Sequence, residues 1–296
     1  MERAVQRGAG GLGAGSRKGL VPYLLTLPGV LWLLVFFALP LYFMLSFTLY
    51  EGSIELGFSY TPGWVSTYTE ALSLYKVQII RSFVYGLIVT TATLAMSYPL
   101  AYWIATKGGR RKNLFLLLLL LPFFTPFLIR TISWQFVLAD EGIFLGPLKS
   151  AGLVGQDYHI LATPVAVIFG LIYNFLPFMA LPLYVALEKL DPSLREAAQD
   201  LYSSRRETFL KVTLPLSLPG VFAGSLLTFI PVVGDFINAE LLGNPNTTMI
   251  GNVIQRLLLV TGDYPTGGAL SFLLIAGILV GIFLYARALG TEELTG

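Results

Sequence analysis

The sequence predicts an all-α polytopic membrane protein with about six transmembrane helices, and composition is the first observation that predicts it. The chain has 296 residues, of which 55% are hydrophobic and 12% are charged, and its mean hydropathy is +0.73. A soluble domain carries about 25% charged residues, so this chain has too little polar surface to cover a globule of its size. An ordinary soluble enzyme is excluded, and the 14% aromatic content excludes a disordered chain.

Long intervals without charge are the second observation. A helix needs about 20 apolar residues to cross the roughly 30 Å hydrocarbon core, and its backbone groups must be paired internally. Six runs meet that length, the first of them with 32 uncharged residues between Lys18 and Glu51. That first run is too long for a signal peptide and lacks a small-x-small cleavage site, so we expect it to be retained. The predicted spans are 22–47, 82–105, 114–138, 160–187, 214–240 and 268–286.

The placement of lysine and arginine is the third observation, and it predicts the orientation. Fourteen of the 19 basic residues fall in the N-terminal tail, in two alternate loops and at the C-terminus. Basic residues favour the cytoplasmic side, so both termini are expected there, as an even number of spans requires. The predicted organisation is a cytoplasmic basic tail 1–20, one transmembrane domain 21–290 that contains a long cytoplasmic loop at 188–213, and a cytoplasmic tail 291–296.

Several kinds of chemistry are excluded by residue counts and motifs. The chain has no cysteine and one histidine, His159, so a thiolate nucleophile, a disulfide and a multi-histidine zinc site are impossible, and no metal site is expected. No Walker A sequence, HExxH motif or GxSxG motif is present. Any energy source must therefore lie on another chain.

The 188–213 loop contains two helix-start signals. Asp191 followed by Pro192 is typical of an N-cap and a first helical residue, although a capping box that begins two residues later is an alternative start. Ser204 followed by Glu207 forms a second capping box. We therefore expect two short helices.

The first of these helices presents a narrow apolar stripe. Leu194, Ala197, Ala198 and Leu201 lie at i, i+3, i+4 and i+7, and the two alanines make the stripe thin enough to enter a groove on another protein. A helix lying on lipid would show large apolar side chains opposite a lysine-rich face. The loop instead carries acidic residues, which anionic lipid would repel, so a protein-docking role is favoured.

At this loop the chain resembles the inner-membrane permease subunits of binding-protein-dependent ABC importers. Their loop has Glu-Ala-Ala, three residues, a glycine, and about nine residues further on an apolar-x-Leu-Pro sequence. The matching residues are Glu196, Ala197, Ala198, Leu214 and Pro215. Tyr202 stands in place of the glycine, and a tyrosine in a left-handed turn costs on the order of 1 kcal/mol or forces another turn. The residues expected to dock are Glu196, Ala197, Ala198, Asp200, Leu201, Tyr202, Leu214 and Pro215.

The resemblance extends over nearly the whole chain and is greatest to the spermidine/putrescine permease branch, in segments 121–134 and 234–245. It implies the type I ABC importer permease fold and a place in the bacterial inner membrane. It also implies a second homologous permease subunit, two ATPase subunits that bind ATP and Mg²⁺, and an extracytoplasmic substrate-binding protein. The chain itself would be a transport subunit, not an enzyme, with no cofactor of its own and no nucleic-acid partner. Glu196 would pair with a basic residue in the ATPase groove.

A substrate path should show polar or ionisable groups at membrane depth, because such groups are costly there. Asp235 and Asn238 lie at i, i+3 and are expected to face one cavity, and carboxylates with aromatic faces would suit a cationic polyamine. Arg130 would repel such a solute, so we expect it to snorkel outward or to pair with an acidic residue. The candidates are Arg130, Trp134, Tyr173, Asn174, Asp235, Phe236, Asn238 and Glu240.

Three alternatives compete with a polyamine importer subunit. The same importer class with another small solute is the first. A channel should show symmetric pore-lining repeats, and a membrane-embedded enzyme should show a catalytic cluster at membrane depth, which the residue counts do not favour.

Overall fold

The computed structural model describes residues 21–55, 57–60 and 64–289, so the predicted tails 1–20 and 291–296 lie outside the described residues. Helices dominate, as the sequence predicts. Five helices are long and apolar enough to cross a membrane, and the number is six if one bent pair is counted as a single crossing.

The first span is a single apolar helix on the outside of the bundle. It consists of α1 (Val21–Leu33), a π-helical turn and α2 (Leu39–Phe47), and the predicted span 22–47 is confirmed. No residue of its 18-residue apolar window is buried within the chain. An antiparallel hairpin of β1 (Tyr50–Ser53) and β2 (Gly57–Tyr60) follows, which the sequence did not predict.

The second span is part of a much longer helix. Helix α3 (Trp64–Lys107) has 44 residues and bends at Tyr75, so it begins 18 residues before the predicted 82–105. The backbone at Tyr75 is not helical (φ −111°, ψ 15°), so α3 consists of two helical segments that meet at a kink. The segment after the kink contains the predicted span.

The prediction of one continuous helix over 114–138 is wrong. Helix α4 (Lys112–Leu120) passes through a 3₁₀ turn and stops, and α5 (Phe127–Leu138) leaves at 89°. The break lies at Thr125, which is extended (ψ 133°) and precedes Pro126. Proline disfavours a helical conformation in the residue before it and cannot donate a backbone hydrogen bond.

The prediction of one helix over 214–240 is also wrong at its end. Helix α10 (Leu214–Val233) stops before Gly234, and a separate short helix, α11 (Ile237–Leu242), follows. The Asp235 carboxylate accepts the backbone N–H of Asn238 at 2.8 Å, which caps the new helix. The segments between the predicted spans carry two more short helices, α6 (Leu145–Ser150) and α12 (Ile250–Arg256).

The centre of the bundle is formed by α3, α10 and α7 (Pro164–Glu188), and α13 (Tyr264–Leu289) packs beside them. Helix α7 lies within the predicted span 160–187 apart from its last residue and stays continuous through two internal prolines. Helices α7 and α10 approach closely because α10 carries small residues at the contact. A Cβ on Gly224 would lie 2.8 Å from the Met179 sulfur and 2.9 Å from its carbonyl oxygen.

The loop after α7 holds the two short helices that the sequence predicts. They are α8 (Pro192–Asp200) and α9 (Arg205–Thr208). A π-helical turn, Phe209–Thr213, joins α9 to α10.

Candidate functional site

Both short helices of the loop begin at the predicted caps. Asp191 Oδ1 accepts the backbone N–H of Ser193 at 2.9 Å, so α8 starts at the earlier of the two possible signals. Ser204 and Glu207 form the reciprocal capping box, with the Ser204 N–H donating to Glu207 Oε2 at 2.9 Å. These backbone N–H donors lower the pKa of the Asp191 and Glu207 carboxyls below their ordinary values.

Tyr202 ends α8 in the conformation that the family glycine would adopt. Its φ is +61°. The Tyr202 N–H donates to the Gln199 carbonyl at 2.9 Å, and the Ser203 N–H donates to the Ala198 carbonyl at 3.1 Å. This pair of bonds is the Schellman motif, so the substitution of tyrosine for glycine leaves the left-handed turn in place.

The apolar stripe of α8 is open. Leu194 is 46% exposed and Leu201 is 82% exposed, Ala197 is exposed and Ala198 is half-buried. Glu196 is exposed as well, and it forms no ion pair with any part of the chain that the structure describes. The side chains that would enter a partner's groove are therefore uncovered.

A firm joint connects this loop to the membrane helices. The Phe209 ring packs edge-on against Tyr98 and Tyr102 of α3, with centroids 5.6 and 5.7 Å away. Lys112 forms an ion pair with Glu188 at the start of the loop. These contacts join the loop to α3 and link the start of α4 to the end of α7.

Two of the predicted docking residues lie at the start of α10 and not on the open stripe. Leu214 and Pro215 form the first turn of α10 and are both half-buried. Asp200 is the exposed last residue of α8.

A buried chain of polar side chains joins three helices at the other end of the bundle. Asn174 Nδ2 donates to Thr131 Oγ1 at 3.1 Å and to Asn238 Oδ1 at 2.9 Å. Asn238 Nδ2 in turn donates to Asp235 Oδ2 at 3.1 Å. The first three residues are fully buried and Asp235 is 8% exposed. Asp235 and Asn238 are neighbours as predicted, but they bond to each other. Thr131 is a member that the sequence analysis missed.

Arg130 is buried and forms no ion pair with an acidic residue in the described part of the chain, so both expectations for it are wrong. Its guanidinium lies 4.8 Å from the centroid of Phe123, 5.6 Å from Phe127 and 5.9 Å from Tyr173. Nη1 donates to the Pro122 carbonyl at 3.2 Å, and the residue is 7% exposed. The aromatic faces attract the cation. Phe123 and Phe127 lie on either side of the break in span three, and Tyr173 is supplied by α7.

The other candidates lie in separate places. Trp134 packs edge-on against Tyr173 at 5.0 Å, beside the Arg130 cage. Phe236 is 41% exposed. Glu240 accepts from Asn252 Nδ2 at 3.1 Å and lines a cleft of about 450 Å³ that also contains Arg256. The structure therefore separates the predicted path residues into a buried polar chain, a set of aromatic rings around Arg130 and a cleft at Glu240.

Comparison with known proteins identifies the family. Residues 97–289 match the protein family described as "binding-protein-dependent transport system inner membrane component". The spermidine/putrescine transport system permease protein PotB of Haemophilus influenzae is 38% identical over 260 residues, which are 87% of this chain and 90% of that protein. The protein of the same name from Escherichia coli K12 is 36% identical over 258 residues, 87% of this chain and 94% of the relative.

The chain belongs to this family of inner membrane transport components. The permease fold is also found in a solved structure, the crystal structure of a bacterial ABC transporter involved in the import of the acidic polysaccharide alginate. That chain superposes with a TM-score of 0.69 and 19% identity over 95% of this permease and 98% of its own length. The predicted type I ABC importer permease fold is confirmed.

The Glu-Ala-Ala residues that carried the resemblance lie on α8 of this permease, where Glu196 and Ala197 are exposed and Ala198 is half-buried. The buried chain could have been suspected from the sequence, because Thr131 and Asn174 are polar residues inside apolar runs. Their pairing could not.

Proposed function

We propose that this permease is one of two homologous transmembrane subunits of an ATP-driven importer that moves a polyamine, such as spermidine or putrescine, into the cytoplasm. Two ATPase subunits that bind ATP and Mg²⁺ complete the complex, and a substrate-binding protein delivers the solute from outside. The chain itself performs transport and no hydrolysis. Its 188–213 loop and both termini lie in the cytoplasm.

The open face of α8 carries the proposal. A capped helix with Leu194 and Leu201 exposed and no partner for Glu196 within the described residues is a surface prepared for another protein. The joint at Phe209 gives this surface a mechanical connection to the membrane helices. Closure of an ATPase pair bound to α8 would therefore tilt α3, α7 and α10 and alternate the access of the path.

The polyamine assignment is supported by the relatives and by charge. The two relatives, 36 and 38% identical to this chain over 87% of its length, are named for spermidine and putrescine transport. Asp235 and Glu240 both lie at the end of the bundle away from the loop, where a solute would enter. Carboxylates there favour a cationic solute over an anionic one.

Affinity purification from native membranes tests the subunit composition. The wild-type permease is expected to carry a second permease and an ATPase, identified by mass spectrometry, and to support uptake of labelled spermidine. Glu196→Lys should insert normally but lose the ATPase and uptake, because it reverses the charge at the docking face. Retention of both in that variant contradicts the docking role. Competition by unlabelled putrescine, but not by an anionic solute, is expected if the cargo is a polyamine.

A further inference from the structure

Tyr202 holds a backbone conformation that glycine adopts without strain. Its φ is +61°, and among the described non-glycine residues only Ala162 also has a positive φ. A left-handed φ is an outlier for a bulky residue. The turn itself is fully bonded through the Tyr202 and Ser203 N–H groups. The fold thus needs a left-handed residue at this position, but no contact among residues 21–55, 57–60 and 64–289 needs an aromatic one.

The ring of Tyr202 extends into solvent. The residue is 99% exposed, and the preceding Leu201 is 82% exposed. Together they continue the stripe of α8 beyond the end of the helix. The Schellman bonds on one side and the Ser204 cap on the other hold the backbone, so the ring is presented from a rigid base.

We propose that Tyr202 is an aromatic anchor that fits an apolar pocket on the ATPase subunit, beside the groove that takes α8. This proposal rests on the proposed function, which places an ATPase on the loop. Tyrosine is enriched among residues that dominate binding energy, because it buries a large area and has few torsions to immobilise. Strained residues also concentrate at contact sites. The exposed loop beside the ring carries acidic Asp200 and Glu207 as well as basic Arg205 and Arg206. It therefore lacks the uniformly basic face that anionic lipid attracts.

The test separates the ring from the turn. The permease and its companion permease are reconstituted in lipid nanodiscs, and the separately purified ATPase is titrated onto wild type, Tyr202→Phe, Tyr202→Ala and Tyr202→Gly. Phe should bind like wild type. Ala and Gly should each weaken binding by about tenfold. Hydrogen exchange of residues 192–208 should show the loop of the Gly variant at least as protected as wild type, because glycine removes the strain.

The outcomes are distinct. If Tyr202→Gly and Tyr202→Ala bind as tightly as wild type, the anchor is wrong, whether the ring is merely tolerated or lies against lipid. Glu196→Lys, measured in the same titration, tests the proposed function independently. Loss of binding in that variant with no change in the two Tyr202 variants removes the anchor and leaves the docking role intact. Unchanged binding in Glu196→Lys removes the docking role itself.

Discussion

The side-chain amide of Asn174 in α7 donates to the side-chain carbonyl of Asn238 in α11 at 2.9 Å, and both residues are fully buried. This bond joins α7, which is continuous over its whole length, to α11, the short helix that follows the break in span five. Thr131 extends the connection to α5, beyond the break in span three. The two broken spans are thus tied together across α7.

Asn174→Ala is expected to destabilise the permease by about 1–2 kcal/mol. The substitution removes both interhelical hydrogen bonds of Asn174 and leaves the buried side-chain carbonyl of Asn238 without its donor. Loss of one interhelical hydrogen bond costs little on average in membrane proteins, but a buried polar group without a partner costs more. Thermal unfolding in detergent measures the change. Ser133→Ala is the control, because Ser133 is exposed and bonds only within its own helix. Equal melting temperatures for the two variants would show that the buried chain holds nothing together.

Asp235→Asn is expected to lower polyamine uptake roughly tenfold at limiting substrate, as loss of a charged hydrogen-bond acceptor implies, while leaving assembly intact. The new amide would face the Asn238 Nδ2 donor with a donor of its own, so Asn238 must turn over. That reversal takes its carbonyl away from Asn174. Labelled spermidine uptake measures the effect, and co-purification of the ATPase serves as the assembly control. Unchanged uptake would remove Asp235 from the path.

Arg130→Met is expected to leave the melting temperature unchanged or to raise it, whereas Arg130→Lys should lower it. The guanidinium is buried with three rings and one carbonyl but no carboxylate, and replacing a buried charge by an apolar side chain of similar size is often neutral or favourable. Lysine keeps the charge but loses the planar stacking. Thermal unfolding of the two variants side by side distinguishes them. A strongly destabilised Met variant would show that Arg130 makes stabilising interactions beyond the three rings and the Pro122 carbonyl.

Sequence reasoning succeeded where the signal was local. The capping residues Asp191 and Ser204 predicted both loop helices, because a cap acts within three residues of itself. Charge-free intervals placed the spans within a few residues for 22–47 and for α7. The docking roles of the loop residues and the path roles of the buried ones remain predictions.

The breaks in spans three and five were missed because proline alone does not decide them. Pro177 and Pro182 lie inside α7, which continues through both, whereas Pro126 marks an 89° bend. The difference lies in what surrounds each site. At the bend, the extended Thr125 lets α5 pack against α7 and α11, contacts between residues far apart in the chain that no local pattern encodes. The bond between Asn174 and Asn238 spans 64 positions for the same reason.

Acid is expected to loosen the docking loop through its two capping carboxylates. The Ser193 and Ser204 N–H groups lower the pKa of Asp191 and Glu207 in the folded loop. Because the pKa of each carboxyl is lower in the folded loop, protons bind more tightly to the unfolded loop. The caps therefore stabilise the loop fully at pH values above the ordinary pKa values of 3.8 and 4.5. This stabilisation is lost as the pH falls through the lowered pKa values of the folded loop. At neutral pH no dependence is expected. Hydrogen exchange of residues 192–208, corrected for the intrinsic pH dependence of exchange, should therefore show protection that falls only below these values.

Two cap variants and one control make that dependence specific. Asp191→Ala and Glu207→Ala each remove a carboxylate that accepts a backbone N–H at a helix start. Each should raise exchange in its own helix about fivefold at neutral pH, the usual scale for loss of a cap, and should flatten the acid response there. Asp200→Asn removes a carboxylate from the exposed end of α8, where it caps no helix, and should leave both profiles unchanged. An acid response that survives in the double cap variant would assign it to other carboxylates. The caps would then not be what keeps α8 folded for its partner.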